Sequence, residues 1–183
     1  MPEVAMHSIR TSIFALVACL ATMAAVAADD TEVEQFHFVL EAELPGDVNF
    51  AYALVTGDVS GWWDHTFSEN PLRLYVDARP GGGFYEIFDE AGNWVEHARV
   101  IFAKPGEKLT LAGPLGFSGW ATEIVFTYEF ETIETGSLLR LTVNGSGQMK
   151  EGWADSVEAV WRHFIFEQLV PYAQGRCEQE NCR

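Results

Sequence analysis

Four histidines lie beyond residue 28, at His37, His65, His97 and His163, and they are the side chains best suited to proton or metal chemistry. No two are close along the chain and no His-Glu-x-x-His motif appears, so the spacing predicts neither a zinc nor an iron site. A serine nucleophile has no Gly-x-Ser-x-Gly elbow to sit on. Gly81-Gly82-Gly83 lacks the lysine and the helix start of a phosphate-binding loop. What remains is an acid/base pair. Tyr85 and Glu86 sit on one strand-like run and His97 and Arg99 on the next, joined by a five-residue loop over 89–93. With Phe88 facing Trp94, Tyr85 falls opposite His97; a one-residue slip brings Glu86 beside His97 instead. A histidine oriented by a carboxylate or a phenol moves protons near neutral pH, as an aldol-type cyclase requires. The competing expectation is that His97 and Glu86 lie on the outer, solvated face or satisfy one another structurally. His65, next to Trp62-Trp63, is a further polar candidate, and His163, followed by Phe164, reads as a boundary residue of a helix.

These side chains need elements to hold them. Residues 36–42 alternate apolar and polar (Phe36, Phe38, Leu40, Ala42), which predicts a strand. Pro45-Gly46-Asp47 interrupts it, and Asp47 can cap a short helix carrying Val48, Phe50, Ala51, Leu54 and Val55. The stretch 57–67, with Trp62 and Trp63, follows no period. Strand-like runs then come at 72–77, 84–88, 94–103, 108–112, 122–132 and 137–145. The separators carry turn chemistry (Arg79-Pro80-Gly81-Gly82-Gly83, Glu90-Ala91-Gly92-Asn93, Lys104-Pro105-Gly106-Glu107, Thr135-Gly136), so the runs form an antiparallel meander and not βαβ units. From 151 to 170 the period becomes helical. Trp153, Val157, Val160, Trp161, Phe164 and Leu169 share one broad stripe, and Pro171 is expected to end or kink the helix. At ~1.5 Å per residue such a helix is roughly 30 Å long, enough to cross a sheet.

The chain has 183 residues, 48% of them hydrophobic and 13% aromatic, which supports one domain with a substantial core. Lys plus Arg is 11 and Asp plus Glu is 27, a net charge of −16. Such a chain cannot build the large cationic face that nucleic acid or an anionic membrane surface demands. Residues 1–28 read as a secretory signal peptide: Arg10 makes a positive start, 12–26 is mostly apolar, and Ala25-Val26-Ala27 offers a cleavage site. Leu16-Val17-Ala18-Cys19 resembles a lipoprotein cleavage box, a lesser alternative because apolar sequence continues to Ala28. The expected location is periplasmic or secreted, with no stable membrane insertion after cleavage. Removing this segment leaves only Cys177 and Cys182, a pair expected to form a structural disulfide in the tail 175–183.

The order of strand, small helix, curved sheet and long C-terminal helix is that of the helix-grip fold, and the motifs agree. Trp62-Trp63-Asp64, Arg79-Pro80-Gly81-Gly82-Gly83-Phe84, Ala103-Lys104-Pro105-Gly106-Glu107-Lys108-Leu109 and Gly113-Pro114-Leu115-Gly116 resemble the SRPBCC superfamily, which includes the START and birch-pollen-allergen proteins. The resemblance is nearest to the polyketide-cyclase-like proteins and the homologues of the activator of the heat-shock-90 ATPase. It spans residues 36–172 and implies an α+β fold over 29–174, with a curved antiparallel sheet wrapped around the long helix. It further implies an apolar cavity between sheet and helix, with Trp63 closing one end and Trp161 and Phe164 on the helix side. Ordinary core packing is the competing expectation for each. The chaperone-activating role does not carry over, since that chaperone is cytosolic. Iron–sulfur ligation, as in related ring dioxygenases, finds no Cys-x-His pair here.

The leading expectation is an exported protein that binds a small apolar or amphipathic molecule through Trp63, His65, Tyr85, His97, Tyr128, Trp161 and Phe164, without cofactor or metal. A second is a cofactor-independent cyclase, isomerase or hydrolase using His97 with Glu86 or Tyr85. A third is a non-catalytic envelope module with an exposed apolar patch around Trp62 and Trp120, its protein partner unspecified.

Overall fold

The structure, a computed structural model, describes residues 32–182. The expected signal peptide and Cys19 lie outside the described residues. Eight strands form one antiparallel sheet: β1 (Glu32–Leu44), β2 (Gly57–Asp58), β3 (Arg73–Val76), β4 (Gly83–Ile87), β5 (Trp94–Lys104), β6 (Lys108–Gly113), β7 (Thr122–Ile133) and β8 (Gly136–Met149). Their spatial order is β1-β8-β7-β6-β5-β4-β3-β2, so every neighbour from β2 to β8 is the next strand in sequence and β1 closes on β8. This is the meander that the turn spacing predicts. Side chains alternate as a sheet with one buried face requires: Ile124, Phe126, Tyr128 and Phe130 of β7 point inward beside Leu139, Leu141 and Val143 of β8.

A short helix, α1 (Val48–Leu54), follows β1. Asp47 caps it, its carboxylate accepting from the backbone N–H of Asn49 at 3.0 Å and of Phe50 at 2.8 Å. Tyr52 of α1 meets Phe130 edge-on at 5.8 Å. The segment without periodicity, 57–67, reaches into the core: Val59, Trp62 and Trp63 are buried there, and Trp62 Nε1 donates to Leu54 O at 2.8 Å.

The C-terminal helix starts with α2 (Trp153–Arg162), continues through a π-helical segment (His163–Leu169) and ends as α3 (Val170–Glu180). It buries Val157, Trp161, Phe164, Ile165 and Leu169, with Trp161 set against Phe126 at 5.1 Å and Tyr128 at 6.4 Å on the sheet. Of the two outcomes expected at Pro171, an end or a kink, the helix does not end there. A proline inside an α-helix lacks an N–H and presses on the carbonyl four residues back. Just before it the chain loosens to the π pattern, Val170 N–H bonding to Ile165 O, which widens the turn where the proline enters. The tail therefore belongs to the helix as far as Glu180. Cys177 is buried and lies within disulfide distance of Cys182, their Cα atoms 4.9 Å apart. Among the described residues no helix is long and apolar enough to cross a membrane.

Candidate functional site

The pairing of β4 with β5 decides which polar groups reach the interior. Ile87 pairs with Trp94, Glu86 with Val95 and Tyr85 with Glu96, but Phe84 pairs with Ala98. His97 is thus the extra residue of a β-bulge, and neither of the two registers expected from sequence is adopted. The bulge breaks the alternation of β5, so that His97 and Ala98 are both buried. His97 turns onto the inner face with Glu86, and its Nε2 lies 3.0 Å from Glu86 Oε2.

Glu86 is fully buried and its carboxylate is saturated with donors. Phe67 N–H donates to Oε2 at 2.9 Å, while Ser68 N–H and Oγ–H donate to Oε1 at 2.8 and 2.9 Å. Burial pushes the Glu86 carboxyl up, but these donors together with His97 outweigh it and hold the group below the ordinary glutamate range. Burial dominates for His97 in the opposite sense. It pushes the imidazole below its ordinary value, with Glu86 only partly opposing. The pair therefore consists of an ionised Glu86 and a neutral His97 whose Nε2–H donates to it. That leaves Nδ1 as a lone-pair acceptor with no hydrogen-bond partner among the described residues.

His97 forms part of the wall of a cavity of about 460 Å³ between the sheet and the C-terminal helix. Trp63, Trp161 and Phe164 form its aromatic side, with Trp63 stacked on Phe164 at 4.0 Å and edge-on to Trp161 at 5.7 Å. Ile124, Leu115, Phe117, Trp153, Val157 and Val160 add to the apolar lining, to which Phe67, about half exposed, also belongs.

Of the residues singled out from sequence, Trp63, His65, His97, Trp161 and Phe164 share this cavity, and Glu86 lies directly behind His97. Two are elsewhere. Tyr85 points to the other face of β4, packed at 5.6 Å against Tyr75 and at 6.0 Å against Trp94, because side chains alternate along a strand and Glu86 takes the inner side. Tyr128 is buried beneath Trp161, off the cavity wall, and burial drives its phenol far above the ordinary range. Trp62 is buried and Trp120 is half-buried against Trp153 at 5.1 Å, so the exposed tryptophan patch of an interaction module does not form around them. Sequence reasoning missed Phe67 and Ser68. Only the tertiary fold reveals that their backbone serves Glu86.

A second polar cluster stands at the cavity mouth. Asp64 accepts from His65 Nδ1 through Oδ1 and from His163 Nε2 through Oδ2, both at 2.7 Å. His163 Nδ1 reaches Glu167 Oε2 at 2.9 Å. Hydrogen bonds to Asp64 and then Glu167 raise the His163 pKa above its ordinary value. The donor atoms of Asp64, His65 and His163 lie within 4.8 Å of one another, a set that could hold a metal ion.

Comparison with solved structures bears on the fold. A protein of unknown function from Staphylococcus aureus superposes with a TM-score of 0.59 at 12% identity, covering 80% of this chain and 98% of that one. An uncharacterized protein from Rhizobium leguminosarum gives 0.58 at 18% identity, covering 79% and 97%. An AHSA1-like protein from Aeromonas hydrophila gives 0.54 at 11% identity, covering 77% and 94%. The fold is a helix grip. At these identities the likeness is one of fold. No family model matches the sequence, and no curated protein matches it. In this helix grip the sheet supplies His97 and Glu86, the segment 62–68 supplies the roof, and the C-terminal helix supplies Trp161, Phe164 and His163.

Proposed function

We propose that this protein is an exported carrier or receptor for a small apolar or amphipathic molecule held between sheet and helix. The observation that carries the reading is the cavity itself. Its volume of about 460 Å³ falls within the ~300–1,000 Å³ of ligand pockets, which are mostly apolar with a few polar groups that fix orientation. Here Trp63, Trp161 and Phe164 offer apolar and aromatic surface, and His97 offers a polar group. Export is supported by the leader-like pattern of residues 1–28 and by two cysteines within disulfide distance.

A second reading makes His97 a general base. It is favoured by the place of His97 in the cavity wall and by a partner that would stabilise the imidazolium formed on proton uptake. Against it, Glu86 already has a structural task, tying down Phe67 and Ser68. Binding is therefore the better-supported role.

The test is a native mass spectrum of protein purified from its own envelope without detergent, recorded beside a solvent extract. The expected result is a reproducible extra mass that leaves on denaturation. Val160→Trp, which fills the cavity from the helix side, should lose that mass and weaken uptake of a fluorescent fatty acid by at least roughly 10-fold while the protein stays folded. Equal uptake by wild type and Val160→Trp would overturn the binding reading. Turnover of a candidate substrate that disappears in His97→Gln would favour the second.

A further inference from the structure

We propose that Asp64, His65 and His163 form a binding site for a divalent transition metal, Zn²⁺ by the chemistry of the donors, at the mouth of the cavity. The set comprises two imidazole nitrogens and a carboxylate, the mixture that suits first-row metals and that open zinc sites use with a fourth position left to water or ligand. Chain spacing gives no hint of it, since Asp64 and His163 are 99 residues apart.

Two observations beyond the grouping point the same way. His163 has a carboxylate at each ring nitrogen: Nε2 faces Asp64 at 2.7 Å and Nδ1 faces Glu167 at 2.9 Å. A metal at Nε2 would complete the carboxylate–histidine–metal relay by which proteins aim a ligating imidazole and raise its basicity, with Glu167 as the positioning residue. The second is the backbone. His163 opens the π-helical segment, and Glu167 follows one turn later in it, so the irregular stretch of the helix is the part that presents both groups. Gln168 Nε2 lies 3.3 Å from His163 Nε2, and its amide must turn aside to leave that nitrogen to a metal.

A metal requires the donors to gather on one centre. Zn–N and Zn–O bonds of ~2.0–2.2 Å in a tetrahedron place ligand atoms roughly 3.3 Å apart. The donor atoms of Asp64, His65 and His163 lie within 4.8 Å of one another, and each imidazole now bonds a different oxygen of Asp64 at 2.7 Å, so the side chains must rotate toward a common point as the metal replaces the protons shared between them. His65 and Asp64 have side chains 53% and 42% exposed, so both are free to make that shift. The long-range field also favours a cation, since the chain carries a net charge of −16. His65 and Phe164, whose rings meet edge-on at 4.9 Å, join the metal site to the cavity wall. The site does not depend on what fills the cavity.

The test uses the whole protein as purified, stripped with a chelator and titrated with ZnCl₂ by calorimetry. Co²⁺ serves as a second probe through the visible bands of a low-coordinate site. The expected result is one metal per chain with micromolar affinity or tighter. Affinity should fall by at least roughly 10-fold in both His163→Ala and His65→Ala, and by about 10- to 100-fold in Glu167→Gln. His37→Ala, on β1 beside Asn144, should bind as wild type does. The exposed side chain of His65 keeps that variant folded whatever His163→Ala does, and circular dichroism of the metal-free proteins checks both. No binding up to high micromolar metal overturns the site. So does an affinity unchanged in His65→Ala and His163→Ala.

Discussion

His97 is held neutral by where it lies and aimed by the charge it touches. Its imidazole is almost completely buried, which depresses its pKa in the fold, whereas in the unfolded chain it titrates near its ordinary value of 6.5. Between those two values the unfolded state carries the extra proton, so stability falls as pH drops through 6.5 toward the native value. Glu86 acts at lower pH. Its depressed pKa gives a stabilisation present above the ordinary value of 4.5 and lost as pH falls through the native one. The urea midpoint of the wild type should therefore drop more steeply between about pH 7 and pH 5 than that of His97→Gln, whose amide donates to Glu86 without titrating. Parallel slopes would mean that His97 titrates alike in the folded and unfolded chain, so that burial does not depress its pKa.

The element that delivers His97 is the bulged strand β5, and it is squeezed from both sides. A Cβ at Gly83 of β4 would come within 2.6 Å of Ala98 O. A Cβ at Gly113 of β6 would come within 2.5 Å of Ala98 Cα and 2.6 Å of His97 O. These are backbone atoms and a facing strand, which cannot step aside, so both neighbours of the bulge are glycine for lack of room. Gly113→Ala should cost about 1–3 kcal/mol, read from denaturant unfolding, and should move the NMR resonances of the His97 ring. Gly116→Ala, with open space around the new Cβ, should stay within about 0.5 kcal/mol of wild type and leave the ring unmoved. A Gly113→Ala variant with unchanged stability and unchanged ring resonances would mean the bulge is not pinned by this contact. The π segment is the other irregular element at the site. Like the bulge, it departs from the regular period at a histidine.

At the scale of the whole molecule, electrostatics works against compaction. With 27 acidic and 11 basic side chains, acids outnumber bases by 16. The ion pairs in the structure are mostly exposed and contribute little each, as with Arg140–Glu41 and Lys108–Glu129. Net repulsion should win over local pairing, so adding NaCl to a low-salt solution should raise Tm. A Tm that falls with salt would show that the surface pairs outweigh the repulsion.

The sequence by itself determined the class of fold. Alternation in β1, β7 and β8, turn residues between short runs and a helical stripe from Trp153 to Leu169 are local signals, because the sheet and helix periods are written residue by residue. Part of the aromatic lining was legible for the same reason: Trp161 and Phe164 belong to a helix whose buried side the period predicts, whereas Trp63, in a stretch without period, was expected there only from the family resemblance. Tertiary structure alone decided the rest. The bulge at His97 answers to close packing of three strands, so no reading of two hairpin arms could choose its register or set Tyr85 apart from Glu86. The helix runs on past Pro171 because its π turn makes room within a packed core. Asp64 and His163 meet because the segment after the tryptophan pair is buried against the helix, a contact that periodicity does not encode. Local periods select elements, whereas the chemistry of this site depends on contacts between residues far apart in the chain, and those exist only once the elements are packed.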